Sequence, residues 1–453
     1  MPLTQSVQQP TIQQQLNAAA AAAVRSVGVI GAGSSGLAVA KNLKQAGLPF
    51  ECLEREDQLG GNWCFGKPHS SIYQSTHLIS SKQLTEYTDF PMPEEYPEYP
   101  GHRQVLAYLQ DYCRRFGLDE HIRYNSGVRS VERHADHGWR VTTESGETRC
   151  YSHLVIANGH NWDPRLPQLP GEFHGTVLHS SDYKTPDQLR DRRVLVVGGG
   201  NSGCDIAVES SRTAPSTCLS LRRGYHILPK FFHGTPIDVC GERGLWMRMP
   251  LWMRRLYAKG VLFLTQGSAQ AVGFPKPDHK LFECHPVINS TVVDAARHGD
   301  LRVVPDVVEL LPGGARFSDG STGDFDLIVF ATGFKISLPF IDRAELNWRD
   351  GAPRLYLNVF HPQRDDLFVA GLIQPDSGQF GLVDCQAKCI AAYLKGLHQG
   401  RASAAELQRV KQTETPNLSG GVRYVDSPRH AVEVEHHSYR RRLEKLYRRL
   451  SRP

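Results

Sequence analysis

The sequence predicts an α/β protein with two Rossmann-like dinucleotide-binding domains, the second inserted in the first. Three observations carry that expectation. At 453 residues the chain can fill two or three domains, each with its own core. Two segments share one design: a short apolar run, a glycine turn, then a helical pattern. Each turn is followed, about twenty residues on, by charged side chains, and the two sets have opposite sign.

In the first segment Val27-Gly28-Val29-Ile30 leads into Gly31-Ala32-Gly33-Ser34-Ser35-Gly36, and a helical pattern runs from Leu37 to about Gln45. In the second, Val194-Leu195-Val196-Val197 leads into Gly198-Gly199-Gly200-Asn201-Ser202-Gly203, with a helix expected from Cys204 to about Ser211. Continuous apolar runs of this length suit strands buried on both faces of a parallel sheet. A lone G-x-G-x-x-G is a weak signal. Here each copy follows a strand and opens a helix, the context that gives it meaning. The first glycine makes the tight turn, the second lets backbone approach a diphosphate, and the third lets helix and strand pack closely. The diphosphate then meets the helix N-terminus, where open N–H groups and the dipole favour negative charge.

The residues after each turn separate two nucleotides. Glu54 ends the run Phe50-Glu51-Cys52-Leu53, and an acid there accepts hydrogen bonds from ribose hydroxyls and repels a 2′-phosphate. The first turn therefore suits FAD or NAD. Arg222 and Arg223 end the run from Thr217 to Leu221, and paired guanidiniums can grip a 2′-phosphate bidentately, so the second turn suits NADPH. Leu59-Gly60-Gly61-Asn62-Trp63 is expected to close a second loop on the first dinucleotide, with Trp63 covering it. Asp326 to Gly333 reads as a strand that brings the chain back beneath the cofactor, with Thr332 and Gly333 at its carboxyl end.

These landmarks divide the chain into a disordered leader (1–24), a first dinucleotide domain (25–165), a second (166–320) with an irregular insertion at about 224–300, and a return to the first domain (321–453). Within the insertion, the aromatic and basic stretch from Leu245 to Phe263 is expected to pack as a pair of core helices. The chain ends in a basic helix whose apolar face is Tyr439, Leu443, Leu446 and Leu450. The net charge of +5 is modest, and no dense basic and aromatic patch suggests nucleic acid as a partner. The ten cysteines have no C-x-x-C spacing, so no metal site is expected, and reduced thiols point to the cytoplasm. No window reaches the roughly eighteen apolar residues of a transmembrane segment. A homo-oligomer stays open.

The segment Phe173-His174-Gly175-Thr176-Val177-Leu178-His179-Ser180-Ser181-Asp182-Tyr183 resembles the F-x-G-x-x-x-H-x-x-x-Y fingerprint of the flavin-containing monooxygenases. Gly198 to Ala207 resembles that family's pyridine-nucleotide loop, and Phe330 to Phe334 resembles its F-A-T-G-Y motif with Phe334 at the Tyr position. The resemblance runs from about Val27 to about Gly396. Related Baeyer–Villiger enzymes carry Trp where this chain has Tyr183. What it implies is FAD in the first fold and NADPH in the second. NADPH reduces FAD, dioxygen adds at flavin C4a, and the resulting (hydro)peroxyflavin oxygenates an amine nitrogen or a sulfur of a small molecule. His179 is then expected to be structural, between the two nucleotide domains.

One departure from the family stands out. Leu78-Ile79-Ser80-Ser81-Lys82 resembles a segment that holds an Asn three residues before a Lys, near the flavin C4a, and here the Asn position is Ile79. An apolar side chain cannot hydrogen-bond a peroxide, so that role falls to Ser80, Ser81 or bound NADP⁺. Ile79 and Ser80 mark the expected catalytic position. Ketone oxygenation of the Baeyer–Villiger type, and an NADPH-oxidising or redox-binding flavoprotein with weak oxygenation, remain as alternatives. A flavin disulfide reductase is disfavoured, because Cys64 has no partner cysteine four or five residues on.

Overall fold

The first apolar run forms strand β1 (Val27–Ile30), buried throughout, and the first glycine turn opens helix α1 (Ser34–Ala46). The computed structural model describes residues 26–134, 138–427 and 430–452, so the expected leader at 1–24 lies outside the described residues. Strands β2 (Phe50–Leu53) and β3 (Ile122–Arg123) extend the sheet on one side of β1, and β4 (His153–Ile156) on the other. Leu367–Val369 completes five parallel strands at the far edge, beside β4. Both faces are covered, which is why β1 and β4 read as unbroken apolar runs rather than alternating ones.

The second unit repeats this plan. Strand β5 (Thr176–His179) lies at one edge of another five-stranded parallel sheet, and β6 (Arg193–Val197) occupies its centre. The second glycine turn opens α2 (Asn201–Thr213), which returns the chain to β7 (Ser216–Ser220). Beyond β7 lies β8 (Arg302–Val304), and between β6 and β5 lies β9 (Leu327–Phe330). In both units a three-stranded antiparallel meander precedes a strand beside the glycine-turn strand, over 128–151 before β4 and over 307–324 before β9.

The membership of β9 corrects a boundary. Residues 321–453 were expected to return to the first domain, yet Leu327–Phe330 is hydrogen-bonded between β6 and β5. The second unit therefore runs through Ala331, and the strand does not pass beneath the first cofactor fold. An apolar run of four residues carries no mark of which sheet accepts it; that is decided by the meander that delivers it.

The insertion gives a second correction. Helices α3 (Ile237–Trp246) and α4 (Leu251–Thr265) do not pack as a core pair. Trp246 is 78% exposed and Phe263 77%, and Met247, Trp252, Leu256 and Leu264 are exposed as well. Of α4 only Val261 is buried. Apolar residues occur on several sides of α4, and one helix laid on a domain can bury only one of them.

Helix α5 (Phe380–His398) packs along α1 in the first core, and the closing helix α6 (His436–Leu450) docks on α5 with Tyr439, Leu443, Leu446 and Leu450 buried, as their spacing predicts. Gln386 donates to the Tyr439 hydroxyl at 2.7 Å, and that hydroxyl donates to the Leu357 carbonyl at 2.6 Å. Lys41 of α1 is also inside this core, 1% exposed, paired with Asp89 and 3.5 Å from the fully buried Asp384 of α5. Lys388 approaches the same carboxylate at 2.9 Å. Burial pushes the Asp384 carboxyl up, but Lys388 and Lys41 outweigh it and hold the group below its ordinary value. Lys41→Met should cost about 3 kcal/mol of unfolding free energy, because it takes one of two cations from a fully buried carboxylate and leaves Lys388 to balance it. Urea unfolding followed by far-UV circular dichroism measures this; a loss below about 0.5 kcal/mol would mean that Lys388 alone compensates Asp384.

Candidate cofactor and active site

The two glycine turns are built alike. Gly31 has φ +100° and Gly198 φ +122°, a region closed to most side chains. A Cβ on Gly36 would lie 1.7 Å from the Gly31 carbonyl oxygen, and one on Gly203 would lie 1.9 Å from that of Gly198. No other residue fits at these two positions. Gly33 and Gly200 stand at the N-caps of α1 and α2, with no side chain capping either helix and no acid in either first turn. Each helix therefore presents its N–H groups to an anion, and the bare backbone permits close approach. These cradles fit the diphosphates of two dinucleotides.

Each cradle is backed by a second turn, of which the sequence marked Thr332 and Gly333 but not Asn158 and Gly159. β4 ends in Ala157-Asn158-Gly159 and β9 in Ala331-Thr332-Gly333. The Ala157 carbonyl lies under Gly31 and the Ala331 carbonyl under Gly198, at 2.8 and 2.4 Å from where a Cβ would stand. The signal was available in the sequence. Val-Ile-Ala-Asn-Gly and Val-Phe-Ala-Thr-Gly are one pattern repeated, and Thr332 and Gly333 belong to the second cradle.

Around the first turn, Glu54 is buried and accepts from the Ala32 N–H at 2.6 Å and the Glu56 N–H at 2.9 Å. Burial pushes its carboxyl up, against the pull of those two N–H groups. The structure thus brings Glu54 to the turn. Gly61 faces Gly33 across the turn, its would-be Cβ 3.0 Å from the Gly33 Cα. Trp63 meets Phe380 edge-on at 6.5 Å and leans on the core. Asn62 is exposed, and its side-chain oxygen accepts from the Ser71 N–H at 2.7 Å, so it shapes its own loop. The Ser34 carbonyl accepts from the Tyr87 hydroxyl at 2.6 Å, and buried Ser35 lies against Gly371. Gly371 closes a third run of the same kind, Leu367-Phe368-Val369-Ala370, and was likewise readable.

Around the second turn two expectations change. Asn201 spends its amide on the insertion, accepting from the Ile288 N–H at 2.8 Å and donating to the Pro286 carbonyl at 3.2 Å. Arg223 donates through Nη2 and Nε to Asp278 at 2.8 and 3.2 Å, while Arg222 is exposed. The arginine pair is therefore split. Ser202 contacts the buried Tyr73 phenol, whose oxygen donates to Asp205 at 3.3 Å.

The fingerprint segment is a joint. His179 is buried; its Nδ1 accepts from the Ser181 N–H at 3.1 Å, so Nε2 carries the proton and donates to the Gly333 carbonyl at 3.1 Å. Burial draws its pKa down, which keeps the ring neutral. The same Gly333 oxygen accepts from the Arg165 N–H at 2.9 Å. Tyr183 is fully buried, bonded to Glu209 of α2 and 5.5 Å from the Tyr73 ring.

The expected catalytic segment is also anchored. Ile79 is half-buried. Ser80 is buried, and its hydroxyl shares a 2.7 Å hydrogen bond with Thr85 rather than standing ready for an oxygen species. Ser81 donates from both N–H and Oγ to Asp238 of the insertion, at 2.7 and 2.9 Å. Asp238 and Ser377 line a cavity of about 320 Å³ whose other walls include Tyr225, Leu281, Phe282 and Ile288. No sequence signal marked Asp238, which reaches Ser81 only through the tertiary fold.

Two diphosphate cradles, one backed by an acid and one by an arginine, with a cavity beside the second, define a flavoprotein oxidoreductase with a pyridine-nucleotide fold. The family described as "Flavin-binding monooxygenase-like" matches residues 24–446, and the chain belongs to it. Flavin-containing monooxygenase 5 of Oryctolagus cuniculus is 33% identical over 435 residues, covering 90% of this chain and 80% of the relative. "Dimethylaniline monooxygenase [N-oxide-forming] 2" of the same species is 32% identical over 395 residues, covering 82% and 74%. Among solved structures, a flavin-containing monooxygenase from Stenotrophomonas maltophilia shares the fold at TM-score 0.64 and 23% identity, over 83% of this chain and 100% of that one. The chain is an FAD- and NADPH-dependent oxidoreductase of that family. Among the described residues no helix is long and apolar enough to cross a membrane.

Gly36→Ala and Gly203→Ala test the two cradles separately. Gly36→Ala should abolish flavin retention on purification, read from the visible absorbance. Gly203→Ala should leave the flavin in place and weaken NADPH at least about tenfold. Loss of flavin in both variants would mean that the cradles are not independent.

Proposed function

We propose that the chain oxygenates a soft nucleophile, an amine nitrogen or a sulfur, of a small-molecule substrate at the expense of NADPH and dioxygen. The observation that carries this reading is the fingerprint joint: neutral His179 and buried Tyr183 sit where the two nucleotide folds meet. Tyr183 in place of Trp weighs against a ketone-oxygenating enzyme. The name of the dimethylaniline relative supports nitrogen.

Bound FAD supplies the two-electron chemistry with dioxygen. The chain's own residues bind, orient and exclude water. The glycine cradles hold two diphosphates, Glu54 meets a bare ribose, and Arg222 is the exposed guanidinium for a 2′-phosphate. His179 donates its one proton to Gly333 and so has none to give to substrate. Asp238 fixes the Ile79–Ser81 segment against the cavity, whose apolar walls keep water away from the reacting groups. None of the ten cysteines forms a disulfide, which suits the cytoplasm.

A second reading, an NADPH oxidase that releases hydrogen peroxide, is favoured by one observation. Ile79 offers no donor, and the hydroxyls of Ser80 and Ser81 are already engaged. Oxygenated product and hydrogen peroxide formed per NADPH, measured with tertiary amines, primary amines, sulfides and ketones, separate the two. We expect product with amines or sulfides but substantial peroxide, and Ile79→Asn should raise product per NADPH by about threefold or more, a gain of the size one added hydrogen bond gives. Peroxide alone with every substrate would end the oxygenase reading; product from ketones only would replace it with the Baeyer–Villiger one. Arg222→Ala should weaken NADPH relative to NADH by about 1.5–3 kcal/mol, and equal losses with both nucleotides would remove the 2′-phosphate assignment.

A further inference from the structure

We infer that Asp278 sets the degree to which this enzyme prefers NADPH over NADH, by holding the Nε–Nη2 fork of Arg223 in an ion pair and leaving that of Arg222 to meet the 2′-phosphate. This rests on the reading of the second glycine turn as the NADPH site. A guanidinium grips a phosphate through a pair of parallel N–H groups, and the Nε–Nη2 edge is one such fork. In Arg223 that edge is occupied, because both atoms donate to Oδ2 of Asp278 at 3.2 and 2.8 Å.

The pairing is built in by the backbone. Gly224 bridges Pro277, and a Cβ on Gly224 would lie 2.3 Å from the Pro275 carbonyl oxygen, so the Pro275–Pro277 strap lies directly on the arginine turn. That strap delivers Asp278. The carboxylate's other oxygen pairs with His279 Nδ1 at 2.8 Å. Arg223 first, and then His279, hold the Asp278 carboxyl at about 2, so it is charged wherever the enzyme works. Arg222 has its own acidic neighbour: burial pushes the Asp306 carboxyl up while Arg222 pulls it back.

Two arginines and two carboxylates thus cancel in formal charge around the site that must select a phosphate. The 2′-phosphate meets Arg222, an Arg223 whose Nε–Nη2 fork is already taken, and carboxylates that repel it. Removing Asp278 releases the second fork and lifts the repulsion together, whereas NADH, which lacks the phosphate, is indifferent to both.

The test is titration calorimetry of NADP⁺ and NAD⁺ into the full-length flavin-loaded chain, with kcat/KM for NADPH and NADH as a second readout. D278A should raise the NADP⁺-to-NAD⁺ affinity ratio about tenfold, and D278N, which keeps a neutral acceptor for Arg223, should raise it less. R223A should leave the ratio within about threefold of the parent, and adding R223A to D278A should remove the share of the gain that the freed fork supplies, leaving only the share that comes from the lifted repulsion. NAD⁺ binding serves as the internal control for folding, and D278N, nearly isosteric, stands in should D278A not fold. A ratio that D278A and D278N leave unchanged or lower, or an R223A loss as deep as that of R222A, overturns the inference while the NADPH reading stands. An R222A variant with an unchanged ratio overturns both.

Discussion

The carbonyl of Gly333 is where the two crossings between the halves of the molecule are fixed to each other. The chain crosses between the sheets twice, once after β4 and once after β9, and the crossings run side by side, Asp163–Pro164 pairing antiparallel with Phe334–Lys335. Gly333 accepts from the Arg165 N–H on the opposite crossing and from the His179 ring at the edge of the second sheet. Asn158, in the equivalent turn of the first unit, donates to the Ser337 carbonyl at 3.2 Å. Because the crossings are hydrogen-bonded to one another, turning one cradle against the other would bend or break these bonds. A neutral histidine suits that point, since a protonated one would have to carry its charge in a buried place.

The nucleotide sites follow from two copies of one plan with different side chains hung on them. In each copy the strand–turn–helix unit is covered from below by an Ala-x-Gly turn on a neighbouring parallel strand. What differs is the residue at the end of the next strand. Glu54 is drawn into the first cradle by the Ala32 N–H, while Arg222 remains at the surface of the second and Arg223 is diverted to Asp278. The setting of Arg223 is therefore written in Asp278, some fifty residues further along the chain, as much as in the motif itself.

The insertion ties the active region together. Asn201 of the second cradle hydrogen-bonds the Pro286–Ile288 backbone, Asp238 receives two hydrogen bonds from Ser81 of the first domain, and Asp238 lines the cavity together with Ser377.

The sequence by itself determined the two parallel-sheet units, the glycine turns, the acid and the arginines after them, and the docking face of the last helix. These are local patterns: periodicity, spacing and backbone permissiveness constrain a short stretch whatever surrounds it. Only the tertiary structure decided that Leu327–Phe330 joins the second sheet, that the Leu245–Phe263 stretch stays exposed, that Ser80 turns to Thr85, and that Arg223 is claimed by Asp278. Each of those depends on which distant segment arrives alongside, and a hydrogen bond or ion pair between residues far apart in sequence leaves no periodic trace in either one.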